Sequence, residues 1–396
     1  MKKLYLFVFG FLLSAAMPVF SSVSIGGEFD YYMVNGFDSD NAASFEDDWD
    51  KGEMDFRIGV GDYSRILIEL EEDDSWNSGR GTSPEGTPSL NYFRVQTDWG
   101  KFFGLESVGI RTDIGLYSYQ TFDSVHFTGF GYEYSENFGN PSLRKDFGFK
   151  LSLSFADRLI QPYYAMNFDT CSEEDNKGRA TPDDGPTFMA GCGFDFDSVG
   201  LPLWLEAYYM KGPAEDTNTF GLEAMYDLTV GEFDFKVGGF YQNFTSALKT
   251  RWSDRGADAD DRGSLWGLGI RFAAFGAAID VTAAGAAGED FWGKGNYSPF
   301  SVLGLDAEYF FIDGLGINAG AAFAFGDYKE TSGDKTLQSF EAGLVIKPDK
   351  GVLYKIGYIY VDKDVASSPG VLFRTLNTKK VTAEKGGLYF TVKIDY

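Results

Sequence analysis

Alternation with a period of two runs through nearly the whole chain. Between positions 147 and 155 one row is Phe147, Phe149, Leu151, Leu153 and Phe155, and the other is Gly148, Lys150, Ser152 and Ser154. Phe220, Leu222, Ala224, Tyr226 and Leu228 repeat the pattern, as do Trp266, Leu268, Ile270 and Phe272, and then Val352, Tyr354, Ile356, Tyr358 and Tyr360. Such a period puts successive side chains on opposite faces of a β-strand, and an apolar row beside a polar one means two different environments. The rows are about 10 residues long, the span of a transmembrane β-strand rather than of the shorter strands of soluble sandwiches and propellers.

The connections alternate too, between short and long. Tight turns are expected near Gly61, Gly100, Asp157, Ser198, Gly231, Ala274, Asp313 and Asp349. Polar loops fill 35–50, 72–89, 118–145, 169–186, 245–262, 287–299 and 364–385, with shorter ones at 212–217 and 327–335. This predicts an all-β fold, an antiparallel transmembrane β-barrel of about 18 strands, with 16 as the nearest even alternative. Its turns would be short and periplasmic, and its loops long, acidic and extracellular. The segment from Val125 to Tyr134 would break the parity as a strand and is assigned to the third long loop.

Composition agrees with this class. Aromatics are 17% of residues and there are 49 Gly, which suits strands facing lipid, interfacial rings and tight turns. No run is long and apolar enough for a membrane-spanning helix. Lys2 and Lys3, the apolar run from Leu4 to Ala16 and the small residues Ser21 and Ser22 read as a cleaved leader, so 1–22 is a signal peptide and 23–396 the barrel. Without Lys2 and Lys3, 59 acids face 32 bases, a net charge of −27 that argues against nucleic acid as a partner. Two cysteines, Cys171 and Cys192, leave one disulfide open.

The chain closes on "GGLYFTVKIDY", with Leu388, Phe390, Val392, Ile394 and Tyr396 on one face and Thr391, Lys393 and Asp395 on the other. With this last strand, the chain resembles the porins of bacterial outer membranes along its whole mature length. The terminal aromatic is similar to the signal read by the barrel-assembly machinery, with Tyr396 where that family more often has Phe. The last strand should pair with the first, near Ile25 to Val34, and close the barrel. The resemblance also implies that the third long loop, 118–145, folds into the lumen and narrows it.

Arg57, Arg65, Arg94 and Arg111 sit on four consecutive strands, each in the row opposite the apolar one, and all should face the lumen. With strands about 4.8 Å apart, they form one basic wall. Set against Asp123, Glu133 and Glu136 of the third loop, that wall resembles the constriction of general porins. The alternative is that these arginines are solvated lumen residues paired with Asp55, Asp98 and Asp113. Inward aromatics such as Tyr163, Trp204 and Tyr208 are expected to fill space in a Gly-rich lumen rather than to form a path for sugars. Trp99, Phe102, Phe103, Phe310, Phe311 and Tyr396 fit interfacial belts.

Signals for chemistry are poor. His126 is the only histidine, and Ser124 and Asp123 are too close in sequence to converge on it as a triad. "GLGIRF" and "GLGINAG" have no following helix. The Asp-rich loops do not follow calcium-loop spacing. The expectation is therefore a non-enzymatic porin with no cofactor and no metal, in the outer membrane of a diderm bacterium, passing small hydrophilic solutes or ions. Its partners would be outer-membrane lipid, the assembly machinery and its solutes; a homotrimer stays open, because lipid-facing and subunit-facing rows are both apolar. An adhesin-type barrel binding through its acidic loops, or a barrel for uptake of a hydrophobic substrate, is the alternative.

Overall fold

The structure, a computed structural model, describes residues 20–36, 44–72, 89–117, 119–122, 143, 146–168, 186–211, 218–245, 262–288, 300–325, 337–361 and 386–395. Asp123, His126, Glu133, Glu136, Cys171 and Tyr396 lie outside the described residues. Eighteen strands follow one another: β1 (Phe20–Gly36), β2 (Ser44–Val60), β3 (Ser64–Glu72), β4 (Ser89–Asp98), β5 (Val108–Tyr117), β6 (Asp146–Phe155), β7 (Ile160–Asn167), β8 (Phe188–Asp195), β9 (Leu203–Lys211), β10 (Asn218–Val230), β11 (Phe233–Thr245), β12 (Arg262–Ala274), β13 (Ala277–Gly288), β14 (Phe300–Ile312), β15 (Leu315–Phe325), β16 (Leu337–Asp349), β17 (Val352–Val361) and β18 (Gly387–Asp395). β1 begins inside the segment read as leader.

Each strand pairs antiparallel with its neighbours in sequence, and β18 pairs with β1 from Gly36↔Gly387 to Glu28↔Asp395. The sheet is therefore a ring without free edges. In a bilayer, where no water can satisfy an unpaired backbone group, closure is what allows strands to span. The short connections all fall at one end, as expected, and the long ones at the other. The turn between β12 and β13 has just Phe275 and Gly276, with φ of 52° and 79°. Two positive values in a row make the tight hairpin turn that matches strand twist, and Gly276 adopts its value without steric cost.

The outward row is apolar on strand after strand. Leu222, Leu268, Ile279, Leu305, Ile317, Leu344 and Leu388 are all 45–53% exposed. A band this continuous is stable only against hydrocarbon; the chain is a transmembrane β-barrel. Near the short-turn end, a single helical turn, α1 (Trp99–Phe102), is capped by Asp98, whose Oδ1 accepts from the Lys101 N–H at 2.9 Å. Trp99, Phe102, Phe103 and Tyr63 pack there ring against ring, at centroid distances of 5.0–6.2 Å.

The inward row is not uniformly polar. From β7 to β12 the lumen side is built of aromatics laid over glycines of the adjacent strand: Tyr163 over Gly191, Trp204 over Gly193, Tyr208 over Gly221 and Phe240 over Gly267. A Cβ at Gly221 would meet the Tyr208 ring at 2.0 Å, so this close approach requires glycine. These rings fill space against the wall.

Candidate functional site

Strand parity brings the four arginines to the lumen side of one wall. In the ladder, Arg57 lies opposite Leu67 and Leu67 opposite Arg94, Arg65 lies opposite Gln96 and Gln96 opposite Asp113, and Arg111 lies between Asp98 and Ser152. Counted from the short-turn ends of their strands, Arg57 and Arg111 are fourth, Arg94 fifth and Arg65 second. Asp113, 2% exposed, holds the group together. Its Oδ1 is 3.7 Å from Arg94 Nη1, its Oδ2 is 3.5 Å from Arg111 Nε, and it accepts from Gln96 Nε2 at 2.6 Å. Gln96 Oε1 in turn accepts from Arg65 Nε.

These four cations are not equivalent. Arg94 is clamped, with its guanidinium 4.1 Å from the Tyr117 ring centroid and 5.6 Å from that of Tyr92. Arg57 and Arg111 keep 61% and 45% of their side chains exposed, so these two offer their charge to the lumen. Arg57 also touches Asp55 at 3.3 Å. Farther toward the long loops, the carboxylates of Glu53, Asp55 and Glu69 come within 4.8 Å of one another, with Asn91 donating to Glu69 and Tyr92 to Asp55.

The described ends of the third loop, Tyr119–Phe122 and Leu143, lie on the inner wall beside this row. Tyr119 and Leu143 are fully buried with Tyr163, Ala165, Met189, Tyr208 and Met210, all inward residues of β7, β8 and β9. The apolar side chains explain the burial, and polar bonds fix the seat. Lys150 Nζ, from β6, donates to the Gln120 carbonyl at 2.6 Å and stands 4.5 Å from the ring centroids of both Phe122 and Tyr163. On the other side Glu206 Oε1, from β9, accepts from the Phe122 N–H at 3.0 Å and from the Tyr163 hydroxyl at 2.6 Å. Tyr119 accepts from the Gly115 N–H at 3.1 Å, and its hydroxyl is 2.5 Å from the Gly148 carbonyl. Toward the short-turn end of β5–β10 lies a cavity of about 1100 Å³, lined by Phe122, Trp204, Arg111, Arg158, Gln161 and Asp195 among others.

Sequence reasoning missed Lys150 and Glu206, and it also missed an acidic set on the far wall. Asp280 of β13, Asp306 and Glu308 of β14 and Glu341 of β16 all face inward. In a ring of 18 strands β13 and β14 stand nine strands from β4 and β5, so Asp280, Asp306 and Glu308 lie across the lumen from Arg94 and Arg111. A local signal was present: each acid stands between apolar neighbours, as Asp280 does between Ile279 and Val281 and Glu341 between Phe340 and Ala342. Asp123, Glu133 and Glu136, the acids expected to oppose the arginines, lie outside the described residues. Leu388, Phe390, Val392 and Ile394 form the outward row of the closing strand, with Tyr389, Thr391 and Lys393 inward. Cys192 carries a free thiol on the outward row of β8.

No family model and no curated protein matches the chain. Solved structures do. OccAB3 of Acinetobacter baumannii superposes with a TM-score of 0.53 at 11% identity, covering 94% of this chain and 98% of its own. The BenF-like porin of Pseudomonas fluorescens Pf-5 gives 0.55 at 10%, covering 96% and 99%. Pseudomonas aeruginosa OpdL gives 0.54 at 11%, covering 95% and 98%. At such identities the likeness is one of fold: the chain has a porin-like barrel over nearly its full length.

Proposed function

We propose that this porin-like barrel is a water-filled channel in the outer membrane of a diderm bacterium, through which small hydrophilic solutes and ions diffuse passively. The observation that carries the reading is the third loop: its first described end is hydrogen-bonded to the inner wall through Gln120 and Phe122, and Leu143 of its other end packs against that wall, beside a row of arginines that faces the lumen. On this reading the loop narrows the passage. Arg57, Arg65, Arg94 and Arg111 line one side of the constriction, and Asp123, Glu133 and Glu136 of the loop, together with Asp280 and Glu308 of the far wall, supply the opposite charge. A transverse arrangement of this kind orders dipolar solutes and tunes ion passage.

The rest of the reading follows from orientation. Residues 1–22 are a leader removed on export, the short turns and both termini are periplasmic, and the acidic loops face outside. The outward row of β18, Leu388, Phe390, Val392 and Ile394, together with Tyr396 of the sequence, is the address read by the barrel-assembly machinery. Lipid covers the outer rows, no cofactor takes part and no reaction is catalysed. Recording from purified, refolded protein in a planar bilayer is the direct test. Discrete conductance steps are expected, and a membrane that stays silent with folded protein present would sink the channel.

A further inference from the structure

The cavity on the short-turn side of the third loop is lined by polar groups with hydrogen-bonding capacity left unused. Ser152 of β6 and Gln161 of β7 both line it and are 7% and 6% exposed. Ser152 Oγ and Gln161 Nε2 have no hydrogen-bond partner among the described residues. Arg111, directly opposite Ser152 on β5, engages Asp113 through its Nε, and its two Nη atoms make no bond among the described residues. Buried polar groups are normally satisfied, so three unmet groups on one cavity wall point to a ligand.

These groups are neighbours. Ser152 pairs with Tyr163, which sets Gln161, two residues away on β7, at the diagonal, and Gly193 of β8 lies directly opposite Gln161. A Cβ at Gly193 would meet the Trp204 ring at 2.6 Å and the Phe122 ring at 3.3 Å, so both rings stand over the strand beside Gln161. Asp195, two residues farther along β8, closes the row. From Arg111 to Asp195 the row crosses three strand spacings, about 14 Å. That width is too great for one ion and suits one or two sugar rings.

Charge in the lining is mixed. Arg111 and Arg158 share the cavity with Asp98, Asp195, Asp197 and Asp227, of which Asp98 stands 3.6 Å from Lys101 and Asp227 2.8 Å from Lys236. An ion of either sign therefore meets like charge in part of the wall. The fitting ligand is neutral and dense in oxygens that both accept and donate, with a C–H face for Phe122 and Trp204. A guanidinium fork, an amide and a hydroxyl offer complementary donors to vicinal hydroxyls. Tyr163 and Tyr208 are buried in the wall, so the polar groups and not an open track of rings carry recognition.

We propose that this cavity is a binding station for a neutral saccharide of one or two rings, held by Arg111, Ser152 and Gln161 beside Phe122 and Trp204. The inference names a solute class for the channel and so rests on the channel reading.

The test is saturation-transfer NMR on the purified barrel, folded in an amine-oxide detergent that has no sugar headgroup, with sucrose as the probe. Saturation should pass to sucrose, and gluconate and glucosamine, an anionic and a cationic sugar, should bind more weakly. Gln161→Leu and Ser152→Ala should each raise the sucrose Kd about fivefold, the effect of one lost hydrogen bond. Asp62→Asn, in an exposed turn, should leave it unchanged. Heat-dependent gel migration shows that each protein is folded. No transfer to sucrose in wild type, an equal Kd in wild type and both cavity variants, or tighter binding of gluconate than of sucrose overturns the proposal. Binding is read without ion current: a barrel that conducts and takes no sucrose refutes the station alone, and a silent membrane with sucrose bound refutes the channel alone.

Discussion

Replacing Lys150 by Met should loosen the third loop without unfolding the barrel. Met keeps the length and apolar stem of the side chain and removes only the ammonium. Two kinds of contact are lost: the charge-assisted bond to the Gln120 carbonyl at 2.6 Å, and the approach to the faces of Phe122 and Tyr163 at 4.5 Å each. A hydrogen bond to a charged group contributes about 1.5–3 kcal/mol. Cation–π contacts at a desolvated site contribute roughly 0.5–2 kcal/mol. Because Lys150 is itself nearly buried, its own desolvation offsets part of this, and a net loss of about 2–4 kcal/mol of seating energy is expected. That is roughly a 30- to 700-fold rise in the population of the unseated loop. Single-channel recordings should show greater current noise and excursions to higher conductance, and protease should cut within 123–142 faster than in wild type. Glu206→Gln, which keeps an acceptor oxygen for the Phe122 N–H, should disturb the loop less than Glu206→Ala. If Lys150→Met folds and neither noise nor cleavage rate changes, the seat does not hold the loop.

Three further outcomes follow from particular geometry. The double variant Arg57→Glu/Arg111→Glu, which reverses the two most exposed guanidinium groups, should move the zero-current potential in a KCl gradient toward cation selectivity; an unmoved potential removes these residues from the constriction. Gly221→Ala should lower stability to urea by about 1–3 kcal/mol, since its Cβ must displace the buried Tyr208 ring. Leu268→Arg, at the middle of the outward row of β12, should cost about 2–4 kcal/mol in lipid, and a barrel indifferent to it would not have that face in the membrane.

Much of the fold was legible because barrel strands are nearly independent sentences of one grammar. Each carries its own two faces, so Phe220 to Leu228 or Trp266 to Phe272 declares an outward row without knowledge of its partners. Parity of connections then orders the strands and, with it, places Arg57, Arg65, Arg94 and Arg111 on one side. The site was only half legible for the same reason. Parity says which way a side chain points and nothing of what stands across the lumen. Lys150 and Glu206 were in plain view as polar-row residues, but the loop they grip is contiguous with neither.

By itself, the sequence determined the antiparallel order, the two faces and the inward direction of the basic row, and put the strand number at 18 or 16, because a period of two and a turn length are local properties. The tertiary structure alone decided the rest. It showed that Asp113 binds Arg94 and Arg111 at once, that Arg94 is clamped between tyrosines, and that the third loop is seated between Lys150 and Glu206. It also set Asp280 and Asp306 side by side. Those facts depend on ladder register and on closure of the ring, which fix distances between residues far apart in the chain, and no local pattern carries that information.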